Sequence, residues 1–414
     1  MDNFMKLSII ICVYNTDKEY FEGCLRSITE STLDKGDYEI CVIDDGSDID
    51  YGELVKKYSL KYKKTENRGI FQARLLGICE AAGDYIAFVD SDDTVSFNYH
   101  APMLKRAVED KCDIVFNDWA FHTERSRYYC AKDTTIARDI SVLGDGVLPF
   151  FLSQCGREHS YYVLWNKLFS GRILKACAEE LMPIACGEVR FNFSEDALIC
   201  FHAFLMAKRV ENVHTGYYFY RIHSGQTVNV ISDEKLSSQI SCMAKTFDIM
   251  RERIPESPER EKMLKHVREW QLLMARTHFS HAKANKYLHL YDLIKEKYKT
   301  DKLEPSTYRD GSVYASGTLL AKNFTEIDAA LLSLFLANDA ITVSTDGTDG
   351  YMRRSLEYIA KKKDNITLGG DGVRLPEPFI PFRDKLILNP VIYRIGLVLF
   401  KKGSRLRAFL KKHI

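Results

Sequence analysis

The sequence lacks a long hydrophobic run. No apolar stretch approaches the ~20 residues that a membrane-spanning helix needs, and the chain passes from Met1 directly into a strand pattern without the features of a signal peptide. Its 11 cysteines are scattered through apolar segments, and none forms a Cys-x-x-Cys pair. This spacing argues against a zinc site and against a disulfide scaffold. We therefore expect a cytoplasmic protein whose thiols are reduced.

Glycine-rich nucleotide-binding loops are also missing. The sequence has neither G-x-G-x-x-G after the first predicted strand nor G-x-x-x-x-G-K, which argues against an NAD-binding Rossmann enzyme and a P-loop enzyme. Residues 1–16 contain no glycine, whereas a sugar nucleotidyltransferase would have a glycine-rich loop there. An excess of charge of one sign is absent too, since the formal net charge is +1. Nucleic acid is therefore not an expected partner.

The chain has enough residues for two or more folded domains. With 414 residues, of which 46% are hydrophobic and 28% charged, it has the composition of a globular protein. The composition shifts after about residue 230, where helical patterns rich in Lys and Glu begin. We predict an N-terminal domain over residues 1–230, a mainly helical accessory region over 231–385 and an amphipathic basic tail over 386–414.

One short stretch carries the strongest chemical signal in the chain. Residues 85–89 form a short apolar run after a Gly-Asp turn, and this pattern predicts a buried strand. Three carboxylates, those of Asp90, Asp92 and Asp93, follow it directly. Acids this close repel one another unless a cation lies between them, and hard divalent ions prefer oxygen ligands. The alternative is an acidic turn after a strand.

The N-terminal half alternates strand patterns with helix patterns. Apolar runs such as residues 6–13 predict buried strands, and helical spacing such as that of residues 70–82 predicts helices between them. This alternation predicts an α/β fold with a mostly parallel sheet flanked by helices, followed by a largely helical C-terminal region. Because the carboxyl ends of parallel strands point one way, we expect Asp44, Asp45 and residues 90–93 to face one crevice.

The second half of the chain has fewer signals. Residues 234–300 predict two or three helices, which are broken at Pro255 and Pro258. An amphipathic pattern predicts a further helix at 324–336, and a short apolar run predicts a strand at 340–344. These patterns do not assemble into a named fold.

Five motifs of the N-terminal half, in their order, resemble the family-2 glycosyltransferases, which have the GT-A nucleotide-sugar fold. They are SIIICVYN at 8–15, VIDDGS at 42–47, NRG at 67–69 with AR at 73–74, FVDSDD at 88–93, and SED at 194–196. The family usually has proline where this chain has Cys12, a position that shapes a loop rather than the chemistry. The resemblance covers roughly residues 5–225. It implies a metal-dependent inverting hexosyl- or N-acetylhexosaminyltransferase of the cell-surface polysaccharide or teichoic-acid type.

The resemblance implies a set of donor-binding residues. Asp45 would bind the nucleotide base, because a carboxylate can accept a hydrogen bond from the uracil imide. Arg68 and Arg74 flank a helix start, where anions bind, and would pair with the diphosphate. The whole donor-binding set is Val13, Tyr14, Asn15, Asp45, Arg68, Arg74, Asp90 and Ser91. The alternatives are a turn at Asp45 and a solvated helix face for the arginines.

A divalent cation, Mn²⁺ or Mg²⁺, is the cofactor that the resemblance implies. Asp92 would hold the ion that bridges the donor diphosphate. His223 follows a predicted strand and resembles a position that reaches the ion or the diphosphate. A structural role for His223 is the alternative, because a lone histidine is more often structural.

Glu195 and Asp196 resemble the acidic pair that contains the catalytic base. In a first helical turn two neighbouring side chains diverge by about 100°. One of them is therefore expected to face the cleft, and the family pattern points to Asp196. The alternative is that Ser194 caps the helix and that both acids complement the helix dipole.

The expected partners are a nucleotide-sugar donor, with UDP favoured by the resemblance, and a glycan or lipid-linked acceptor with a free hydroxyl. Trp165, Asn166 and Arg221 resemble positions on the acceptor side, and a core tryptophan is the alternative.

The tail at 386–414 combines an apolar helical stripe with six Lys or Arg in residues 401–414. It predicts binding to an anionic membrane surface, at the inner face of the plasma membrane. Self-association is a further expectation. The competing function is a nucleotide-sugar-binding or scaffolding protein without transferase activity.

Overall fold

The computed structural model describes residues 6–123, 140–156, 159–187, 190–191, 193–222, 232–285 and 287–301, together with the backbone of 313–315 and 318–320. Within these residues the chain divides into two compact units. The first unit comprises residues 6–120 and 140–220, and the second comprises 121–123, 221–301 and the two short strands. The domain boundaries at 230 and 385 stay predictions.

The first unit begins with alternating strands and helices. They are β1 (Leu7–Val13), α1 (Lys18–Thr29), β2 (Tyr38–Asp44), α2 (Gly52–Tyr58), β3 (Lys61–Lys64), α3 (Ile70–Glu80) and β4 (Tyr85–Phe88). β1 lies between β2 and β4 and pairs in parallel with both, and β3 extends the parallel set beyond β2. Leu7, Ile9 and Ile11 are fully buried, as expected of a central strand covered on both faces. The predicted alternation is therefore present.

The elements that follow complete one nine-stranded sheet. They are β5 (Thr94–Val95), α4 (His100–Asp110), β6 (Ile114–Thr123), β7 (Ser141–Leu143), α5 (Val147–Cys155), β8 (Lys167–Ser170), α6 (Gly171–Ala185), α7 (Glu195–Met206) and β9 (Arg209–Ile222). The strand order is β3-β2-β1-β4-β8-β6-β9-β5, and β7 pairs with β9. β8 is antiparallel to β4 and β6, and β9 is antiparallel to β5 and β7.

The sheet is therefore mixed rather than mostly parallel, which corrects one detail of the prediction. The α/β class with flanking helices is confirmed. The strand that reverses the direction is β8, whose first three residues, Lys167 to Phe169, are buried. A short buried strand has no alternation of polar and apolar residues that would mark it as antiparallel. Its direction depends on the end of the sheet at which the preceding segment delivers the chain.

In the first unit, α3 packs closely on the sheet and α6 packs against α3 and α7. A Cβ added at Gly77 of α3 would lie 2.5 Å from Cγ2 of Ile10 and 3.4 Å from Cγ1 of Ile43. The missing side chain thus lets α3 approach β1 and β2 closely. α6 contacts both α3 and α7. It therefore links the helix that carries Arg74 to the helix whose first turn carries Glu195 and Asp196.

The second unit is helical over most of its described residues. Its elements are α8 (Asp233–Arg253), α9 (Arg260–Ala284), α10 (Leu290–Tyr298), β10 (Val313–Ala315) and β11 (Thr318–Leu320). The rings of Phe247 and Trp270 meet edge to face with centroids 5.2 Å apart, and the Tyr298 hydroxyl hydrogen-bonds Nδ1 of His278 at 2.6 Å. The three helices correspond to those predicted for residues 234–300.

Several predicted elements of the second half lie outside the described residues. These are the helix at 324–336, the strand at 340–344 and the amphipathic tail at 386–414. In the part of the chain that the structure does describe, no helix is both long enough and apolar enough to cross a membrane.

Candidate active site

Three loops meet at the carboxyl edge of the parallel strands. Because β2, β1 and β4 are neighbours in that order, the segments that follow them leave the sheet side by side. The hydroxyls of Thr16, after β1, and Ser91, after β4, lie 2.7 Å apart. The N–H of Asn15 donates to Oγ of Ser47, after β2, at 3.0 Å. The strand ends that were predicted to share one edge do so.

The loop after β1 is held in an unusual backbone conformation. Asn15 has a φ of +51°, in the left-handed region that asparagine tolerates better than most residues. Its side-chain oxygen accepts the N–H of Asp48 at 2.8 Å. Tyr14 is 53% exposed, whereas Val13 is buried. Of the donor-binding residues predicted in this loop, Tyr14 is the one that presents a ring to solvent.

Two adjacent carboxylates after β2 have different partners. Asp44 is fully buried and accepts the N–H of Ser47 at 2.7 Å. Asp45 is 5% exposed and accepts the N–H groups of Arg68 at 2.8 Å and Gly69 at 2.9 Å. Asp45 therefore fixes the backbone that leads into α3. A carboxylate has about four lone-pair sites, so the predicted bond from Asp45 to a nucleotide base would use the remaining ones.

A further arginine, which the sequence analysis missed, lies at the start of α3. Gly69 has a φ of +98°, and a Cβ there would lie 2.9 Å from Nε of Arg190. Arg190 also donates to the side-chain oxygen of Asn67, 123 positions away. The Arg68 side chain is 61% exposed and pairs with Glu66 at 3.2 Å. Two exposed arginines therefore stand where a helix start favours anions, and no local pattern marks the second.

Arg74 connects the acidic turn after β4 to the start of α7. It is 6% exposed, and its Nη2 lies 3.1 Å from Oδ1 of Asp90. Its Nη1 donates to Oε1 of Glu195 at 2.7 Å and to Oδ1 of Asp196. Arg74, predicted to bind the donor diphosphate, is thus engaged by three carboxylates in this structure.

Burial and neighbouring charges act together on the pKa values of Arg74 and Asp90. Burial lowers the pKa of Arg74, and the charges of Asp90 and Glu195 raise it by more. Burial also raises the pKa of Asp90, and the charge of Asp92 adds to this, while Arg74 opposes both. The guanidinium thus does not fully offset the effects of burial and of the Asp92 charge on Asp90.

The turn between Asp90 and Asp93 is closed by hydrogen bonds. The N–H of Asp93 donates to the carbonyl of Asp90 at 3.1 Å. The Tyr218 hydroxyl of β9 accepts the N–H of Asp90 at 3.0 Å and donates to Oδ2 of Asp93 at 2.6 Å. Asp93 is 1% exposed, whereas the Asp90 side chain is 32% exposed and Asp92 is partly exposed. Asp93 therefore faces the core, and the acids nearer the surface are Asp90 and Asp92.

The two acids at the start of α7 both contact the same guanidinium. The Glu195 side chain is 11% exposed and that of Asp196 is 20% exposed. The divergence expected for neighbouring residues does not keep either carboxylate away from Arg74. Ser194 has a φ of +67°, and its hydroxyl donates to the carbonyl of Phe193 at 2.5 Å. Both acids lie in the first turn, where they also complement the helix dipole.

The residues predicted for the acceptor side are largely buried. Trp165 is 4% exposed and stacks on Tyr218, with centroids 4.6 Å apart and an interplanar angle of 19°. Asn166 is fully buried, and its amide donates to the carbonyl of Ser160 at 3.0 Å. Arg221 is partly exposed. In this structure Trp165 and Asn166 present little surface to an acceptor.

The acidic turn suits a divalent cation that also binds a phosphate. Among the residues that the structure describes, no group of three or more His, Cys, Asp or Glu side chains is arranged to hold a metal ion. Mg²⁺ is usually bound through one or two carboxylates and substrate phosphates rather than by an all-protein cage. Asp92, with Asp90 beside it, provides such a donor set. His223, the other predicted ligand, lies outside the described residues.

The mixed sheet flanked by helices is consistent with the GT-A fold that the sequence motifs imply. The model of the family described as glycosyl transferase family 2 matches residues 8–143, which include the three strand-end loops and Arg74. The chain therefore carries a glycosyl transferase family 2 domain. The family that the sequence motifs resemble is confirmed.

Two curated relatives illustrate the extent of the likeness. The glycosyltransferase GlyA of Streptococcus pneumoniae is 25% identical over 265 residues, which is 59% of this chain and 34% of GlyA. The putative glycosyltransferase EpsH of Bacillus subtilis is 30% identical over 227 residues, or 54% of this chain and 62% of EpsH. The chain thus spans about a third of one relative and about three fifths of the other.

Among solved structures, that of TarS from S. aureus is similar to this chain with a TM-score of 0.47 and 17% sequence identity. The likeness covers 78% of this chain and 59% of TarS.

Proposed function

We propose that the family-2 domain transfers a sugar from a nucleotide-sugar donor to an acceptor hydroxyl, with inversion at the anomeric carbon. The observation that carries this proposal is the contact of Arg74 with Asp90 on one side and with Glu195 and Asp196 on the other. This contact joins Arg74 to Glu195 and Asp196, which lie 121 and 122 positions further along the chain. A donor-binding turn and a second acidic pair thus occupy one site, as a transfer between two substrates requires.

Asp196 is the proposed catalytic base. An acceptor hydroxyl is a weak nucleophile at neutral pH, and a carboxylate within hydrogen-bond reach takes its proton as the new bond forms. Asp196 is the more exposed of the two acids at the start of α7, which supports its access to an acceptor. Arg74 holds that carboxylate in place.

The proposed donor is a UDP-linked hexose or N-acetylhexosamine. The loops at the strand ends would bind it through Val13, Tyr14, Asn15, Asp45, Arg68, Arg74, Asp90 and Ser91. The hydrogen bonds that join these loops support the proposal, because they bring the named residues to one edge of the sheet. The exposed Arg68 side chain at the start of α3 supports a contact with the diphosphate.

Asp92 and His223 would hold the divalent cation, Mn²⁺ or Mg²⁺. When bound, the ion would neutralise the charge that develops on the leaving nucleoside diphosphate. The raised pKa of Asp90, which burial and the charge of Asp92 cause, supports a need for positive charge at this turn.

The proposed acceptor is a hydroxyl of a cell-surface glycan or of a lipid-linked intermediate. A lipid-linked acceptor would be reached from the inner face of the plasma membrane, where the basic tail at 386–414 would hold the protein. The six Lys or Arg of residues 401–414 support this location. Self-association remains part of the proposal.

Release of nucleoside diphosphate from a panel of UDP-, GDP- and dTDP-sugars tests the function. We expect turnover with one donor class in the presence of Mn²⁺ or Mg²⁺, and loss of turnover in EDTA. Asp92→Asn should lower turnover by about a hundredfold or more, because it removes a charge from the ion site. Asp84→Asn, at the opposite end of β4, should leave turnover unchanged.

Two outcomes would contradict the proposal. Thermal stabilisation by a nucleotide sugar without release from any donor, even with acceptor extracts present, would favour the binding or scaffolding protein. Full-strength UDP binding in EDTA, measured by calorimetry, would exclude the metal role of Asp92.

A further inference from the structure

One buried hydroxyl joins the two ends of the acidic turn. Tyr218 lies on β9, 128 positions from Asp90 and 125 from Asp93. Its oxygen accepts a hydrogen bond from the backbone N–H of Asp90, and its O–H donates a hydrogen bond to Oδ2 of Asp93. The side chain is fully buried, so water does not compete for either bond.

The ring that carries this hydroxyl is itself fixed. Trp165 stacks on it at 4.6 Å and 19°, a geometry that leaves little freedom to tilt. The stacked Trp165 ring thus holds Tyr218 against the turn. The Tyr99 hydroxyl donates to the backbone carbonyl of Trp165 at 3.1 Å and is not part of the stack.

The hydroxyl also keeps its proton. Burial raises the pKa of Tyr218 well above its ordinary value of 10, and the charges of Asp93 and Asp90 add to the effect. Tyr218 is therefore the donor in its bond to Oδ2 of Asp93.

We propose that Tyr218 is a positioning residue that selects which acids of the turn face the donor. Its hydroxyl holds Asp93 in the core and fixes the backbone at Asp90, so that Asp90 and Asp92 remain at the surface of the site. The consequence for the donor rests on the proposed function, whereas the positioning of the turn does not.

Amide hydrogen exchange in the free protein tests the positioning role directly. Tyr218→Phe keeps the ring stack and removes only the hydroxyl, so we expect exchange at the Asp90 amide to become about tenfold faster. Tyr99→Phe is the matched control, because it removes an equally buried hydroxyl that bonds the Trp165 carbonyl and not the turn. It should leave the Asp90 amide unchanged. Trp165→Phe, which weakens the stack, should accelerate the same amide to a smaller extent.

Equal exchange at Asp90 in the wild type and in Tyr218→Phe would overturn the proposal. Equal acceleration in Tyr218→Phe and Tyr99→Phe would overturn it as well, because both would then reflect general loosening. Should Tyr218→Phe fail to fold, Trp165→Phe is compared with Tyr99→Phe instead. Faster exchange at the Asp90 amide in Trp165→Phe alone would support the proposal, and equal exchange in the two variants would overturn it.

Binding of UDP with Mg²⁺, measured by calorimetry, tests the link to the donor. We expect the Kd for UDP to rise about tenfold in Tyr218→Phe and to stay unchanged in Tyr99→Phe. In assays of transfer the KM for the donor should rise and that for the acceptor should not. An unchanged Kd in Tyr218→Phe would overturn the donor part. Failure of the wild type to bind any nucleoside diphosphate would refute the proposed function and leave the exchange result to decide the positioning role.

Discussion

At the scale of single residues, the charge balance of the site depends on Arg74. Its guanidinium is planar and offers several donors in a fixed arrangement, so it can meet Asp90 from one side and Glu195 and Asp196 from the other. A lysine ammonium is a point charge and cannot reproduce this geometry. The buried position makes the pairing costly to break, since each partner would lose its compensation in a poorly solvated place.

Replacement of Arg74 should therefore affect both stability and turnover. Arg74→Met should lower the free energy of unfolding by about 3–5 kcal/mol, because it leaves buried carboxylates uncompensated. Arg74→Lys should recover part of that stability but little of the turnover. Urea denaturation and donor-release assays measure the two effects.

Arg68 provides the control for this experiment. Its side chain is 61% exposed, so Arg68→Met should change the stability by no more than about 0.5 kcal/mol. Similar losses of stability in both methionine variants would show that the contacts of Arg74 do not hold the site together.

The second prediction at this scale separates the two acids of α7. Asp196→Asn should lower turnover by about 10²- to 10⁴-fold, the range of general-base catalysis. Donor affinity should change little, since the base acts on the acceptor. Glu195→Gln should lower turnover less, because Glu195 is the more buried acid and its contact is with Arg74. Steady-state rates and UDP calorimetry on both variants check this. Loss of turnover in Glu195→Gln with near-normal turnover in Asp196→Asn would assign the base to Glu195.

At the scale of elements, the site is assembled from the ends of strands and the starts of helices. The loop after β2 turns back on the start of α3 at Gly46, which has a φ of +81°. A Cβ there would lie 2.6 Å from the backbone nitrogen of Asn67, and backbone cannot move aside as a flexible side chain can. Glycine is required at this position for both its conformation and its lack of a side chain.

Gly46→Ala should therefore destabilise the first unit and weaken donor binding together. We expect a loss of about 1–3 kcal/mol, from the strained conformation and the close approach. Gly146→Ala is the control: an added Cβ there would have its nearest neighbour at 3.6 Å, and the residue has an ordinary φ of −74°. Its effect should be within about 0.5 kcal/mol. Thermal or urea denaturation distinguishes the two, and equal stabilities would show that the loop adapts without strain.

At the scale of the whole molecule, charge is balanced overall but not along the chain. The formal net charge is +1, whereas residues 401–414 contain six Lys or Arg and no acid. In a helix, Ile392, Ile395, Leu399, Leu406 and Leu410 would fall near one stripe with the basic residues largely beside it. The tail lies outside the described residues, so its membrane role stays a prediction from the sequence.

Liposome flotation tests that role. The full chain should float with vesicles that contain anionic lipid, and the chain shortened to residue 385 should not. Each basic residue near the surface contributes about 1 kcal/mol, so neutral vesicles or high salt should reduce the binding. A variant with Lys401, Lys402, Arg405, Lys411 and Lys412 changed to Gln separates charge from apolar contact. Equal flotation of the full and shortened chains would contradict membrane binding by the tail. The tail would then be explained as a helix docked on the protein itself or buried in an oligomer.

Much of the fold could be predicted from the sequence because its signals are local. Apolar runs marked β1, β2 and β4, of which the last two lead into acids, and helical spacing between them implied parallel neighbours. Parallel neighbours place their carboxyl ends at one edge, so the segments after β2 and β4 were expected to share a crevice. The structure adds the loop after β1, which hydrogen-bonds to both of them. The direction of β8 did not follow, because a short buried strand carries no mark of its neighbour's direction.

What only the tertiary structure decided are the pairings between distant residues. The sequence by itself marked Arg74, Asp92 and Asp196 as chemically interesting, because their motifs resemble those of the family-2 glycosyltransferases. It could not show that Arg74 pairs with both acids of α7, or that Tyr218 draws Asp93 into the core. Such contacts depend on how the helices and strands pack. No local sequence pattern identifies a partner that folding brings from more than a hundred positions away.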